Sequence, residues 1–365
     1  MHKNKYTITF RQYIFLIFGA QVGVGILQLP RALAEKAGMD GWLSIISGYI
    51  ISVISSLIMV QIMKKHPDAS LPAIFNIYLE KWGGKFGTLL LLIYFLFLSF
   101  VVIQRSILFI KIWIIPGTTE YVLMLLISLP LYIIVSKGIH IIGRYAELIA
   151  VPTISSLIFY VFALKESHHW NHLLPVFHHL KESLLNTSST IMSFLGMEFV
   201  FFLYPFLQKK HLASRGVIIA NSLTMLLMLF ITLSCFLFYS PDEITQYNEP
   251  TLSMLKVVEF RFLERVEIIF LSLFIFIMST TWICYIYCSA SCMCWLTNQR
   301  NYTIHIRLFL ATFIMVIYFL NSSLYQNDIL QSISNKLGLI FVYIFPPCFW
   351  IYIKICKHIQ WRRLQ

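Results

Sequence analysis

Charged side chains are scarce in this sequence. Asp, Glu, Lys and Arg make up 12% of its 365 residues, whereas soluble globular proteins have roughly a quarter. Hydrophobic residues make up 58%, and the mean hydropathy is +0.76. This balance excludes a soluble enzyme or a soluble binding domain. It predicts a polytopic membrane protein, because most apolar stretches are hydrophobic on every side.

Catalytic motifs are also missing. The sequence has no phosphate-binding glycine loop, metalloprotease helix or nucleophile elbow in a credible context. The seven cysteines lie in or beside apolar stretches, which does not suit a disulfide framework. Cys284, Cys288 and Cys292 share one helical face, which suits either a soft metal or the close packing of two helices. We therefore expect no enzymatic activity and no cofactor.

Apolar stretches long enough to cross about 30 Å of hydrocarbon recur along the whole chain. We expect an all-α protein with about ten transmembrane helices, forming one integral membrane domain over 1–365. The first stretch has no small-residue cleavage site after it, so we expect it to remain as a spanning helix. The predicted spans are 10–35, 41–63, 86–112, 120–136, 139–164, 188–208, 212–239, 265–295, 304–321 and 336–356.

Lys and Arg are distributed unevenly among the short connections. Alternate connections, starting with the N-terminus, hold about twice as many of them, including Lys64, Lys65, Lys209 and Lys210. The positive-inside rule then places both termini in the cytoplasm. The net charge of +12 is explained by this bias and by attraction to an anionic bilayer surface, so no nucleic-acid partner is predicted.

The first span contains an irregular sequence, Gln21-Val22-Gly23-Val24-Gly25. Two glycines and a polar side chain predict a broken helix, which survives in a bilayer only where protein, water or a ligand satisfies the freed backbone groups. Free N–H groups here would bind a carboxylate, and free carbonyls before the break would suit an ammonium or a cation. The alternative is a close helix crossing mediated by the glycines.

The sixth span has a second irregularity, Gly196-Met197-Glu198. A carboxylate inside an apolar helix is costly unless it is used. Glu198 could pair with an arginine, accept from a ligand ammonium or carry a proton. Interrupted helices at matching places in two halves of five spans predict an inverted repeat with a midplane site. The halves are repeat one, about 1–164, and repeat two, about 188–356, with an outer loop, 165–187, between them.

Further polar residues in the spans are candidates for the same site. Thr280 and Thr281, beside Ser279, could offer hydroxyl oxygens to a ligand or satisfy their own backbone. Tyr94 could line a cavity or simply pack. Arg105 must reach the surface or find a carboxylate, for which Glu198 and an outer-loop acid are the candidates.

Four expectations concern the periphery. Arg144 and Glu147 are spaced for a salt bridge within one helix. Residues 71–81 suit a short surface helix closed by Trp82-Gly83-Gly84, and the loops 165–187 and 240–263 could cap an outward cavity. Histidines crowd the first of these loops and could serve metal binding or pH sensing: they are His168, His169, His172, His178 and His179.

Several of these motifs, in this order, resemble the B subunit of spore germinant receptors, also called the endospore germination permeases. The resemblance extends through the whole chain and includes its length and its ten spans. The residues that carry it are 23–31, 38–42, 174–176, 194–198, 249–251 and 262–267.

The resemblance implies a branch of the amino acid, polyamine and organocation transporter superfamily. It implies a subunit of the spore inner membrane that acts with an A subunit and a lipoprotein C subunit. A small-molecule germinant, by default an amino acid, would lie between broken helices one and six, at Gly23, Val24, Gly25, Gly196 and Glu198. Residues 148–163 lack the lysine of some proton-coupled relatives. A germinant sensor and an active transporter of an amino acid or related solute are both open readings.

Overall fold

The structure, a computed structural model, describes residues 7–174, 183, 187–258, 265–299, 301–320 and 323–362. Within these ranges, six helical runs are long and apolar enough to cross a membrane, and three shorter apolar helices accompany them. The expectation of an all-α polytopic membrane protein is confirmed.

The first half of the chain forms five spanning segments. The helices are α1 (Phe10–Gln21), α2 (Gly25–Ala37), α3 (Trp42–Lys64), α4 (Leu71–Tyr78), α5 (Glu80–Phe109), α6 (Glu120–Ser136), α7 (Ile139–Ser155) and α8 (Leu157–Glu166). Segment one consists of α1 and α2, segment two of α3, segment three of α5, segment four of α6, and segment five of α7 and α8. A π-helical turn, Ile110–Ile114, extends α5.

The second half repeats this order. The helices are α9 (Ser188–Ser193), α10 (Val200–Leu203), α11 (Ala213–Phe238), α12 (Pro250–Leu255), α13 (Val266–Thr297), α14 (Thr303–Phe319), α15 (Leu324–Leu339) and α16 (Phe345–Arg362). Segment six consists of α9 and α10, segment seven of α11, segment eight of α13, segment nine of α14, and segment ten of α15 and α16. A 3₁₀ turn, Met197–Phe199, precedes α10, and a π-helical turn, Ile340–Ile344, joins α15 to α16.

The surface helix predicted at 71–81 ends earlier than expected. Helix α4 stops at Tyr78, and α5 begins at Glu80 and runs through the glycines that were predicted to close the surface helix. The turn is made by Glu80, which has a φ of 59°. Gly84 is used for packing instead, since a Cβ there would lie 2.8 Å from the Cα of Asn76 in α4. Segment three is therefore longer than the predicted 86–112.

Segment ten also begins earlier, at Leu324 and not at 336. Its N-terminus is fixed by a capping box, in which Ser323 accepts from the amide of Gln326 and the Gln326 side chain accepts from the amide of Ser323. The sequence LYQNDILQSISNKLGL of α15 is too polar to meet the hydropathy expected of a span. The reason lies in the cavity that this helix borders.

Helix α1 lies at the centre of the bundle, packed against α7, α11 and α13. Its start is held by a capping box between Thr9 and Gln12. Just before it, Ile8 pairs in parallel with Leu207, with the Ile8 amide 2.9 Å from the Phe206 carbonyl. This bridge ties the entry of segment one to the exit of segment six. The two broken segments are thus joined at one end as well as in the middle.

Candidate functional site

The break in segment one covers Val22, Gly23 and Val24, between α1 and α2. The Val22 amide still bonds the Phe18 carbonyl at 3.0 Å, and the Gly23 amide bonds the Gln21 carbonyl at 2.9 Å. The amides of Val24 and Gly25 stand at the start of α2, where a helix supplies no partner for its first N–H groups. The positive end of the α2 dipole therefore faces the space in front of Gly25, the first residue of the helix.

The break in segment six lies directly against the first. Gly196 has a φ of 116°, which a residue with a side chain adopts only under strain. A Cβ on Gly196 would lie 2.7 Å from both the carbonyl carbon and the carbonyl oxygen of Ala20. Gly196 thus allows the two interrupted backbones to touch.

Gln21 links the two breaks to segment seven. Its Nε2 donates to the Phe194 carbonyl at 3.2 Å and to Asn221 Oδ1 at 2.9 Å, and its Oε1 accepts from Thr224 Oγ1 at 2.6 Å. Asn221 and Thr224 are fully buried in α11. Both were missed from the sequence, although two polar residues one turn apart in an apolar span were a usable signal.

The carbonyls that end α1 are covered by hydroxyls from α13. Thr280 Oγ1 donates to the Gly19 carbonyl at 2.7 Å, and Thr281 Oγ1 lies 3.2 Å from the same oxygen and 3.4 Å from the Ala20 carbonyl. Thr280 also bonds its own backbone, the Ile277 carbonyl, at 2.7 Å. Both threonines therefore take part in satisfying backbone oxygens at the break.

Glu198 is completely buried beneath the break. Its Oε1 accepts from the hydroxyls of Tyr94 at 3.1 Å and Tyr285 at 3.2 Å, and its Oε2 accepts from the Gly196 amide at 2.6 Å. The suggested pairing of Glu198 with an arginine is wrong, because neutral donors occupy both carboxyl oxygens. Glu198 instead fastens segment six to segments three and eight.

A cavity of about 210 Å³ opens at the break. Five of the predicted site residues line it: Gln21, Gly23, Val24, Gly25 and Thr281. Six others surround those residues but do not line the cavity: Val22, Tyr94, Gly196, Met197, Glu198 and Thr280. Tyr285 belongs to the lining and bonds Glu198, so the carboxylate is one residue away from the cavity.

The remaining lining was not predicted, and much of it is polar. Arg105 is the one charged lining residue in the described part of the chain. The other polar groups come from α2, α9 and α15. They are Gln28, Ser189, Ser193, Gln331, Ser334 and Asn335.

A second cavity of about 390 Å³ adjoins the first and shares Gln28, Arg105, Gln331 and Asn335 with it. At the boundary, the Arg105 guanidinium donates to Glu249 at 3.0 Å and to Asp328 at 2.7 Å. An outer-loop acid was one of the two partners predicted for Arg105, and Glu249 confirms it. The other candidate, Glu198, is wrong.

The loop that contains Glu249 packs onto the site. Thr251 in α12 is fully buried and donates to the Leu27 carbonyl of α2 at 3.0 Å. Asn248 accepts from Arg31. This part of the 240–263 loop therefore packs onto α2, the second half of segment one.

Two further peripheral expectations can be compared with the structure. Glu147 lies near Arg11 and Gln12 of α1, at 3.7 Å and 3.3 Å, and does not pair with Arg144. Cys284, Cys288 and Cys292 are buried in α13, and the described residues contain no cluster of three His, Cys, Asp or Glu suited to a metal.

The histidine loop is described only in part. The rings of His169 and His172 lie 5.0 Å apart, while the Nδ1 atom of His168 lies 2.9 Å from the Leu164 carbonyl. Residues 167–169 are not helical, so His168 and His172 do not lie on one helical face. His178 and His179 lie outside the described residues, as do 175–176 and 262–264 of the motifs above.

The fold is shared with solved transporters. The structure of MhsT in complex with L-phenylalanine superposes with a TM-score of 0.65 at 12% sequence identity, covering 92% of this chain and 88% of that one. Identity at this level establishes the fold alone. One break lies in segment one and the other in segment six, which are the first segments of the two halves of five segments.

Sequence comparisons identify the family. The spore germination protein GerQB of Bacillus cereus is 24% identical over 358 residues, which is 95% of this chain and 96% of that protein. Spore germination protein A2 of Bacillus subtilis (strain 168) is 27% identical over 343 residues, 92% of this chain and 91% of that protein. The model of the spore permease family, described as spore germination protein, matches residues 7–329. The chain is therefore a member of the spore germination protein family of integral membrane proteins, which are permeases or receptors and not enzymes.

Proposed function

We propose that this protein is the germinant-sensing membrane subunit of a spore germinant receptor. It binds a small solute, by default an amino acid, in the cavity between the broken segments one and six. The observation that carries the proposal is the lining of that cavity by Gly23, Val24 and Gly25 at the start of α2. Membership of the germination family supplies the physiological context.

Two helix ends of opposite polarity border the cavity. The start of α2 presents amides and the positive end of its dipole, which favour a carboxylate. Met192, Ser193 and Leu195, at the end of α9, form part of the facing wall, where the negative end of a helix favours an ammonium. A zwitterion fits this arrangement. The volume of about 210 Å³ is below the roughly 300 Å³ lower bound for drug-sized ligands, which supports a small solute.

The contacts around the cavity suggest how binding would be transmitted. Tyr285 touches both the cavity and Glu198, and Glu198 holds the Gly196 amide of the second break. These groups can be arranged in two ways, which define two conformations of the protein. A solute that binds one conformation more tightly than the other shifts the equilibrium towards it. We propose A and C subunits as the partners that receive this shift, in the spore inner membrane, with both termini of this chain in the cytoplasm.

A second candidate is an active transporter of an amino acid or related solute. It is favoured by the fold shared with MhsT, a structure solved in complex with L-phenylalanine. The same broken segments serve binding in a sensor and alternating access in a transporter. Solute uptake separates the two functions.

The test is equilibrium binding of amino acids, sugars and nucleosides to the purified full-length protein, with uptake into proteoliposomes followed in parallel. We expect saturable binding that is lost in Gly25→Leu, because a larger side chain there enters the cavity. Gly25→Ala is the matched control: its Cβ would lie 3.7 Å from Ser193 Oγ, an ordinary contact. Binding without uptake supports the sensor, and uptake by the protein alone supports the transporter. Binding that survives Gly25→Leu contradicts the site.

A further inference from the structure

An apolar groove of about 770 Å³ lies between segments three and ten. One side is formed by α4 and α5, and the other by α15, the π-helical turn and α16. Its described lining consists of Leu, Ile and Phe side chains, two glycines and Tyr94, whose hydroxyl already donates to Glu198. Among the described residues it shares no lining residue with either polar cavity, so it is a separate feature of the molecule.

The groove is open along its rim and closed at its floor. Phe86, Leu90 and Ile340 line it and are exposed, as apolar side chains of a membrane protein are where they face hydrocarbon. Tyr94, in contrast, is only 8% exposed. The groove therefore leads from the bilayer-facing surface to a buried residue that contacts the site at the second break.

The two walls are too close together to admit another helix. Helices α5 and α15 contact each other directly, and helices in contact have axes about 8–10 Å apart. A third helix with its side chains is about 10–12 Å wide. It could lie across the rim but could not enter as far as Tyr94. An extended acyl chain, which is only one methylene group wide, can do so.

One end of the groove carries the residues expected at a headgroup. Lys81 and Lys85 are exposed and one turn apart in α5, and Trp82 between them is 85% exposed. Helix α16 packs against α4 at this end and adds Lys354, whereas Glu80 is the opposing carboxylate. Tryptophan is typical of the membrane interface, and lysines there attract anionic lipids. The positive charges outnumber the negative one, which favours an anionic headgroup.

The length of the groove matches one acyl chain. Lys85 and Tyr94 are nine positions apart in the continuous helix α5, which is roughly 14 Å at about 1.5 Å per residue. Half of the roughly 30 Å hydrocarbon thickness is about 15 Å. A phospholipid whose headgroup lies at Lys85 therefore has the end of its acyl chain at the level of Tyr94.

We propose that this groove binds one acyl chain of an anionic phospholipid, with the headgroup at Lys81 and Lys85 and the end of the chain against Tyr94. The lipid fills the space between segments three and ten. Because Tyr94 also bonds Glu198, the bound chain adjoins the second break from the side of the bilayer. The site requires no solute in the cavity between segments one and six, so it does not depend on the proposed function.

The experiment uses two photoreactive phospholipids with identical chains and a diazirine near the end of one chain. One has a phosphatidylglycerol headgroup and the other a phosphatidylcholine headgroup. Each is added in trace amount to the full-length protein in phosphatidylcholine nanodiscs, and labelled peptides are identified by mass spectrometry. We expect the phosphatidylglycerol probe to label 86–97 and 333–345 about tenfold more than the other probe, because two lysines favour its charge. The exposed stretch 125–133 of α6 should be labelled equally by both probes.

Two pairs of variants locate the headgroup and the chain. Lys81→Gln/Lys85→Gln should abolish the difference between the probes in the groove, whereas Lys137→Gln/Lys209→Gln, at exposed lysines elsewhere, should keep it. Leu90→Trp places a large side chain in the groove and should lower its labelling by the phosphatidylglycerol probe to the level of 125–133. Leu129→Trp, at an exposed position of α6, is the matched control and should leave groove labelling unchanged.

Several results would overturn the lipid site. Equal labelling of the groove and of 125–133 in the unaltered protein means that ordinary bilayer lipid covers this face, which is then free for a partner helix. Strong groove labelling by both probes alike removes the selection for an anionic headgroup. Both comparisons use the unaltered protein, so they stand even if a variant does not fold. A difference between the probes that survives Lys81→Gln/Lys85→Gln contradicts the headgroup position.

Discussion

Gly196 of segment six stands against the backbone of Ala20 in segment one, so closely that a Cβ on Gly196 would lie 2.7 Å from the Ala20 carbonyl carbon and oxygen. The two breaks are therefore one structural feature. Gln21 bonds the Phe194 carbonyl on one side of this contact, and Glu198 bonds the Gly196 amide on the other. The two breaks therefore share both backbone contact and side-chain hydrogen bonds.

Replacing Gly196 by alanine tests this contact. Gly196→Ala adds a Cβ where the Ala20 backbone lies and forces a φ of 116° on a residue with a side chain. The backbone strain alone is about 1–3 kcal/mol. We expect a clear fall in the thermal unfolding midpoint, measured by tryptophan fluorescence in detergent. Gly25→Ala should leave the midpoint close to that of the unaltered protein. Equal midpoints for Gly196→Ala and Gly25→Ala would show that the segments do not meet in this way.

Glu198 should matter for stability through the three donors that it satisfies. Glu198→Ala leaves the hydroxyls of Tyr94 and Tyr285 and the Gly196 amide without this acceptor. Each unpaired buried donor costs about 1–3 kcal/mol. We expect a large fall in the unfolding midpoint for Glu198→Ala and a smaller one for Glu198→Gln, which keeps one carbonyl acceptor. Glu35→Ala, on an exposed side chain, is the control. The idea fails if Glu198→Ala is as stable as Glu35→Ala.

The breaks could be predicted from the sequence because their residues are unfavourable in a regular helix that spans a bilayer. Gly23, Gly25 and Gly196 weaken a helix, and a carboxylate at Glu198 is costly in hydrocarbon. The number of spans followed from hydropathy in the same way. These signals are local, and they do not depend on which segments become neighbours.

The partners of these residues could not be predicted, because they depend on how segments far apart in sequence come together. Gln21 bonds Asn221 and Thr224, about two hundred residues away. Helix α15 was missed because hydropathy assumes that a span faces lipid, whereas Gln331, Ser334 and Asn335 border a polar cavity. The same helix supplies Asp328 to Arg105, so the second partner of that arginine was missed with it.

Glu249 should make the stability of the folded protein depend on pH. It precedes α12, outside the spanning helices, and burial raises the pKa of its carboxyl above the ordinary glutamate value despite the opposing effect of Arg105. The folded protein therefore takes up this proton at a higher pH than the unfolded chain. The contribution of Glu249 to folding becomes more favourable as the pH falls from neutral through the raised pKa towards the ordinary value.

The measurement compares the unaltered protein with Glu249→Gln, which is neutral at every pH. The quantity of interest is the unfolding midpoint of the unaltered protein minus that of Glu249→Gln. We expect this difference to become more positive as the pH falls from 7 to 5. Asp328 and all other acids are present in both proteins, so their titration largely cancels. A difference that stays constant or becomes more negative over this range would contradict the raised pKa.

Arg105 connects segment three to the 240–263 loop and to segment ten, but its two salt bridges should not be equally important. The Glu249 side chain is 11% exposed, whereas that of Asp328 is 54% exposed. An exposed pair contributes about 0–1 kcal/mol, while removing one partner of a buried pair costs about 3–5 kcal/mol. Arg105→Gln should therefore loosen the boundary between the two cavities, and Asp328→Asn should change it little.

The boundary can be followed by the rate at which a membrane-impermeant thiol reagent labels Ser334→Cys, a position that lines the inner cavity. The rate for the protein with only its seven native cysteines is subtracted as background. We expect labelling to be at least about tenfold faster in the Arg105→Gln background, because the loss of a buried partner costs more than the roughly 1.4 kcal/mol that corresponds to a factor of ten. In Asp328→Asn the change should stay within about fivefold, since an exposed pair contributes at most about 1 kcal/mol. If Asp328→Asn accelerates labelling as much as Arg105→Gln, the contact with segment ten, and not the buried contact with Glu249, holds the boundary closed.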